Sequence, residues 1–243
     1  MALPVTFPDN NPDYLKIGAN ILAQRNYSLQ NKINELNTLL SSSDISRDTI
    51  DKIFLNIIMN DRLEFSLIKF ITNKFNIDVK QKINNQPLLN YWLYNYKFLF
   101  YSSFSTDDEI DILIKNFCQI LTLFLNKGAE IDGEYGKESP LMILMLRFDR
   151  SDKFHKRMNK FLLKMITTLI DNKANLYKQY IGNDLIVFEN DNYIYPTDSA
   201  FSVAIHQGFT DAIILLLYKG LDINHKSIKN YIEIHGHDLA KNN

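Results

Sequence analysis

The chain contains a single cysteine, Cys118, and only eight glycines and six prolines in 243 residues. One thiol excludes an intramolecular disulfide, as expected of a chain working in a reducing compartment. Cys118 lies among Phe117, Ile120 and Leu121 and reads as a small buried hydrophobe rather than a nucleophile. No stretch reaches the roughly 20 apolar residues that span a bilayer. The opening "MALPVTFPDNNPDYLK" lacks a basic region followed by a long apolar run, so a cytoplasmic location is expected. Acidic and basic residues nearly cancel, at a formal net charge of −1, so no whole-protein field advertises nucleic acid or an anionic membrane. Phosphate-binding loops, dinucleotide fingerprints, GxSxG elbows and HExxH are all missing. A non-enzymatic role without cofactors is therefore expected. An enzyme whose site is built from loop insertions is one alternative.

What is present is a 46% hydrophobic composition, ample for a substantial core, and a patterned use of the few glycines. In residues 199–224, "SAFSVAIHQGFTDAIILLLYKGLDIN", Phe201 and Ala204 share one side of a short helix and Gly208 permits a tight turn. Thr210 or Asp211 can cap a second helix carrying Ala212, Ile213, Leu216 and Leu217, and Gly220 supplies a left-handed end. This segment resembles an ankyrin repeat at Phe201, Ala204, Gly208, Ile213, Leu216, Leu217, Gly220, Asp222 and Asn224, with Ser199-Ala200 in place of Thr-Pro. Three upstream segments echo it. "NQPLLNYWL" leads to "ILTLFLNKGAEID", "ESPLMILML" leads to "MITTLIDNKANL" with Lys173 where glycine is usual, and "IFLNIIMNDRLEFSLIKFITNKFNID" forms a third.

Helix pairs of this kind have too little core to stand alone and must stack. The expected fold is all-α: an ankyrin-repeat solenoid of stacked helix-turn-helix units with a small β-hairpin insertion. Residues 1–47 form an N-terminal helical cap or worn first repeat, 48–227 the repeats, and 228–243 a C-terminal cap. Insertions fall at about 97–113, 147–160 and 176–198, the last reading as short strands around Gly182-Asn183-Asp184 and Asn190-Asp191-Asn192.

The resemblance implies a protein-binding module: an adaptor, inhibitor or targeting scaffold. Loop-decorated ankyrin chains of this composition resemble those that intracellular bacteria and large DNA viruses direct at host proteins, which would place it in the host cytoplasm or nucleus. Candidate partner-binding residues are Tyr177, Tyr180, Phe188, Tyr193 and Tyr195 of the third insertion, with His206, Gln207, Tyr94 and Tyr135. Tyrosine offers wide contact at low conformational cost. Trp92 belongs either to the same face or to the core.

The segment 147–164 gathers Arg147, Arg150, Lys153, Lys156, Arg157, Lys160 and Lys164. It is neutralised by Asp107, Asp108, Glu109 and Asp111 of the neighbouring insertion, or free to bind an acidic partner, nucleic acid or anionic lipid, or merely a solvated charged helix. His235, His237 and Asp238 match no zinc spacing, and no metal is expected. The apolar run through Ile214 and Leu215 is covered by the C-terminal segment in a monomer, or else by a partner or second copy in a dimer.

Overall fold

The computed structural model describes residues 12–24, 27–41, 45–60, 63–96, 106–134, 137–148, 155–181, 186–187, 193–194, 198–229 and 232. Helices begin where a hydroxyl can accept from the first unpaired backbone N–H groups. Ser28 caps α2 (Leu29–Leu40), Ser46 caps α3 (Arg47–Ile58) and Ser139 caps α7 (Pro140–Leu146). Thr106 and Glu109 form a reciprocal capping box on α6 (Asp107–Asn126), and Ser199 and Ser202 form one on α9 (Ala200–His206). Further helices are α1 (Pro12–Ala23), α4 (Phe65–Lys74), α5 (Leu88–Asn95), α8 (His155–Asp171) and α10 (Thr210–Tyr218), and residues 226–229 form a helical turn whose Ile228 is fully buried. The sequence assigned the cap of α10 to Thr210 or Asp211. The residue at that position is Phe209, which makes no side-chain cap and instead buries its ring against Phe148, centroids 4.1 Å apart.

The helices alternate between two layers. In one, α1 packs on α3, α5 on α7 and α7 on α9; in the other, α2, α4, α6, α8 and α10 pack each on the next. Partners α1–α2, α3–α4, α7–α8 and α9–α10 also pack on each other. Trp92 ties α5 to the helices before and after it: its Nε1 donates to the Ile58 carbonyl of α3 at 3.0 Å, and its ring stacks on Phe117 of α6 at 4.2 Å. The protein is thus mostly helical, as expected, and Trp92 belongs to the core.

Four second-layer helices end alike. Asn76, Gly128, Lys173 and Gly220 all have positive φ after α4, α6, α8 and α10. The next residue, Ile77, Ala129, Ala174 or Leu221, is buried and donates its N–H to the last helical turn, at Thr72, Phe124, Leu169 and Leu216. This Schellman closure reverses the chain with its apolar residue tucked underneath.

Two insertions are shorter as loops than the sequence suggested. Residues 107–113 belong to α6 and 155–160 to α8, so the extra length extends second-layer helices to 20 and 17 residues. Among the described residues there are two small hairpins. β1 (Lys82–Ile83) pairs with β2 (Gln86–Pro87) around Asn84 and Asn85, both at positive φ, and β3 (Ile186–Val187) pairs with β4 (Tyr193–Ile194) inside the third insertion. The left-handed backbone at Lys173, with φ 74, is strained for a residue carrying a Cβ. Lys173→Gly should therefore raise stability by about 1 kcal/mol, read as a shift of the urea midpoint at constant slope.

Candidate interaction surface

The loops that join successive helix pairs lie side by side and are bonded to one another. Lys82 of β1 pairs with the Glu134 carboxylate, which lifts the Lys82 ammonium above its usual pKa. Lys178 donates to the Glu134 carbonyl at 3.0 Å, and the Asn175 N–H donates to Asp132 at 2.6 Å. The Tyr177 hydroxyl accepts from the Asp222 N–H at 2.7 Å while its ring stacks on His225, centroids 3.9 Å apart. These bonds connect four consecutive loops into one edge, from which Asn84, Asn85, Lys137 and Ile181 project into solvent.

Behind that edge lies a buried polar layer. Glu138 and Asp198 each precede the serine that caps a first-layer helix, and both are buried. The Tyr94 hydroxyl donates to the Glu138 carboxylate, and burial, reinforced by that charge, pushes the phenol far above its usual value. Asn90 donates to the Glu138 carbonyl at 3.0 Å. Arg147 donates to the carbonyls of Leu93, Tyr94 and Tyr96, closing the C-terminal end of α5 with a cation where the helix dipole favours one. Asp198 faces His206, Nδ1 to Oδ2 3.8 Å, and its carbonyl accepts from the Tyr180 N–H at 2.8 Å beside the bridge between Gln179 and Ser199. The layer anchors the third insertion onto α9.

This placement bears on the candidate partner-binding residues and corrects one of them, Tyr180. Tyr180 is 5% exposed and cannot present its ring to a partner, and Tyr177 is engaged between two loops. The backbone of Tyr193 pairs with Val187; Phe188, Tyr195 and Tyr135 lie outside the described residues. Tyr94, His206 and Gln207 are half-buried, and His206 has a carboxylate beside it that the local sequence did not reveal. Leu215 packs on the core, whereas Ile214 is 59% exposed. Two structural elements went unread: the β1–β2 hairpin, whose signal is the Asn84-Asn85 pair, and the recurring buried acid before a capping serine.

The basic segment meets the acidic one. Arg157 pairs with Asp107 at 3.0 Å and Lys160 with Asp111 at 2.5 Å, so α6 partly neutralises α8 and the motive for a nucleic-acid or lipid site weakens. Among the described residues no group of three or more His, Cys, Asp or Glu side chains is placed to hold a metal ion; His235, His237 and Asp238 lie outside them. Cys118 is half-buried, and burial pushes its thiol up. No described helix is long and apolar enough to cross a membrane. Compared with known families, characterised proteins and solved structures, the chain matches none.

Tyr94→Phe should cost about 1.5–3 kcal/mol at neutral pH, because it removes a hydrogen bond to a buried charge. The pH dependence follows from the raised phenol. Above pH ~10 the unfolded chain releases this proton while the folded chain keeps it, so native stability falls as pH rises, and the variant's alkaline decline should be shallower. Urea denaturation at neutral and alkaline pH measures both.

Proposed function

We propose that the chain is an ankyrin-like repeat scaffold that binds a protein partner along the edge of its inter-unit loops. The observation that carries this reading is the bonded row Lys82–Glu134–Lys178 with Tyr177–Asp222, which fixes four loops relative to one another and so pre-organises a surface. Support for the ankyrin-like assignment is the two-layer stack of helix pairs and the closure recurring at residues 76, 128, 173 and 220. The intervals between these closures exceed the ~33 residues of an ankyrin repeat; the lengths of α6 and α8 extend the first two, and the insertion before α9 extends the third.

The loop edge is favoured over the first helix layer because α7 has no side chain to offer. All seven of its residues, Pro140 to Leu146, are buried. A rigid surface of this kind suits an adaptor, inhibitor or targeting role, with a host protein as partner and the host cytoplasm or nucleus as the setting.

The test is capture from a eukaryotic lysate with the intact chain and with a variant carrying Asn84→Gly, Asn85→Gly, Lys137→Ala and Ile181→Ser. Glycine keeps the positive φ of the turn, so circular dichroism and thermal unfolding should be unchanged. A protein held by the intact chain and lost from the variant is the expected result. Equal recovery by both would move the site off the loop edge.

A further inference from the structure

Helices α6 and α8 meet in a ladder of side chains whose charge pattern breaks partway along. The first rungs join opposite charges, Asp107 to Arg157 at 3.0 Å and Asp111 to Lys160 at 2.5 Å. Farther along, the Thr168 hydroxyl and the Lys164 ammonium of α8 stand beside the Cys118 thiol of α6. Lys115 lies four residues after Asp111 and three before Cys118, on the side of α6 that carries both. Lys164 lies four residues after Lys160 and four before Thr168. The rung between the ion pairs and Cys118 therefore sets Lys115 against Lys164, two cations in the place of an ion pair.

Neither helix compensates for this rung. The acids of α6 all fall in its first five residues, Asp107, Asp108, Glu109 and Asp111, and residues 112–126 contain none. Helix α8 has none before its last residue, Asp171, which pairs with Lys219. Lys156, Lys160 and Lys164 form an exposed row along α8 in steps of about 6 Å, and Lys115 is exposed beside it. Among the described residues a carboxylate pairs with one of these four ammonium groups, Lys160. Like charges four residues apart on a helix repel. The row therefore weakens the free chain, in a protein whose formal net charge is −1.

We propose that this row is a docking site for an acidic polypeptide segment, whose carboxylates pair with Lys156 and Lys164 and bridge Lys164 to Lys115. Charge complementarity sets the class of partner, and spacing sets its form. Alternate residues of an extended chain stand ~6.8 Å apart, close to the lysine step, so acidic residues at every second position meet successive lysines. An anionic membrane fits less well. The exposed apolar side chain beside the row, Ile112, stands alone, short of the apolar face that enters a bilayer. The row lies before the ends of α6 and α8, whereas the loop edge lies past them, so the inference stands apart from that reading.

The test is fluorescence anisotropy of a labelled peptide of alternating glutamate and serine, titrated with the full chain. The peptide should bind saturably at about 10 mM salt and more weakly at about 150 mM, where screening shortens the reach of charge to ~8 Å. Lys115→Gln with Lys164→Gln should weaken binding about tenfold. The same variant should not lower the thermal midpoint, because the two cations it removes repel. Lys226→Gln with Lys229→Gln takes the same charge from exposed positions past α10 and should leave binding unchanged. Absence of saturable binding at low salt would overturn the proposal. Equal losses from the two variants would also overturn it, since the peptide would then be reading net charge alone. Cosedimentation with vesicles of phosphatidylcholine and phosphatidylserine, lost in the first variant while the peptide stays unbound, would overturn the choice of partner in favour of a lipid surface.

Discussion

Trp92 is the constraint on which the middle of the molecule depends. Its indole is fully buried and stacks on Phe117, with Phe124 at 5.4 Å and Tyr96 at 6.4 Å. Phe117 continues to Phe161 of α8 at 4.9 Å, and Phe124 to Phe54 of α3 at 6.1 Å. One ring system therefore joins three successive helix pairs, and removing such a ring from a core costs about 3–5 kcal/mol. The indole N–H is satisfied by the Ile58 carbonyl, so the ring is fixed in orientation as well as buried.

From this spine the other features follow. Lengthened α6 and α8 carry Phe117 and Phe161 within their helical span, and the added first turns bring Asp107 and Asp111 opposite Arg157 and Lys160. Helix α7 sits between α5, α8 and α9 with every residue buried, so it offers no side chain to solvent. Carboxylates at Glu138 and Asp198 bind those loops to the first-layer helices, where a buried charge is tolerated only with donors around it.

Helices and their ends were legible wherever the signal was local. Ser139 before Pro140, the apolar spacing of 212–217, and Gly128 and Gly220 at helix ends each carry their structural reason in neighbouring residues. Lys173 was legible by its place in the pattern, since nothing in lysine itself favours a left-handed backbone. The roles of the tyrosines were not legible. Tyr177 and Tyr180 look alike in sequence, yet one bridges two loops and the other is buried, and only the folded path of residues 176–199 decides which. Glu138 and Asp198 were missed for the same reason: their burial arises from stacking between units, and the sequence around them is ordinary.

The measurement that tests the stacked-pair account most directly is amide hydrogen exchange of the intact chain, resolved by helix. In a stack held by nearest-neighbour contacts around Trp92, protection should be greatest in α5 to α8, with α7 among the slowest, and should decline toward α1 and α10. Fast exchange in α7, or protection greatest at the two ends, would contradict it.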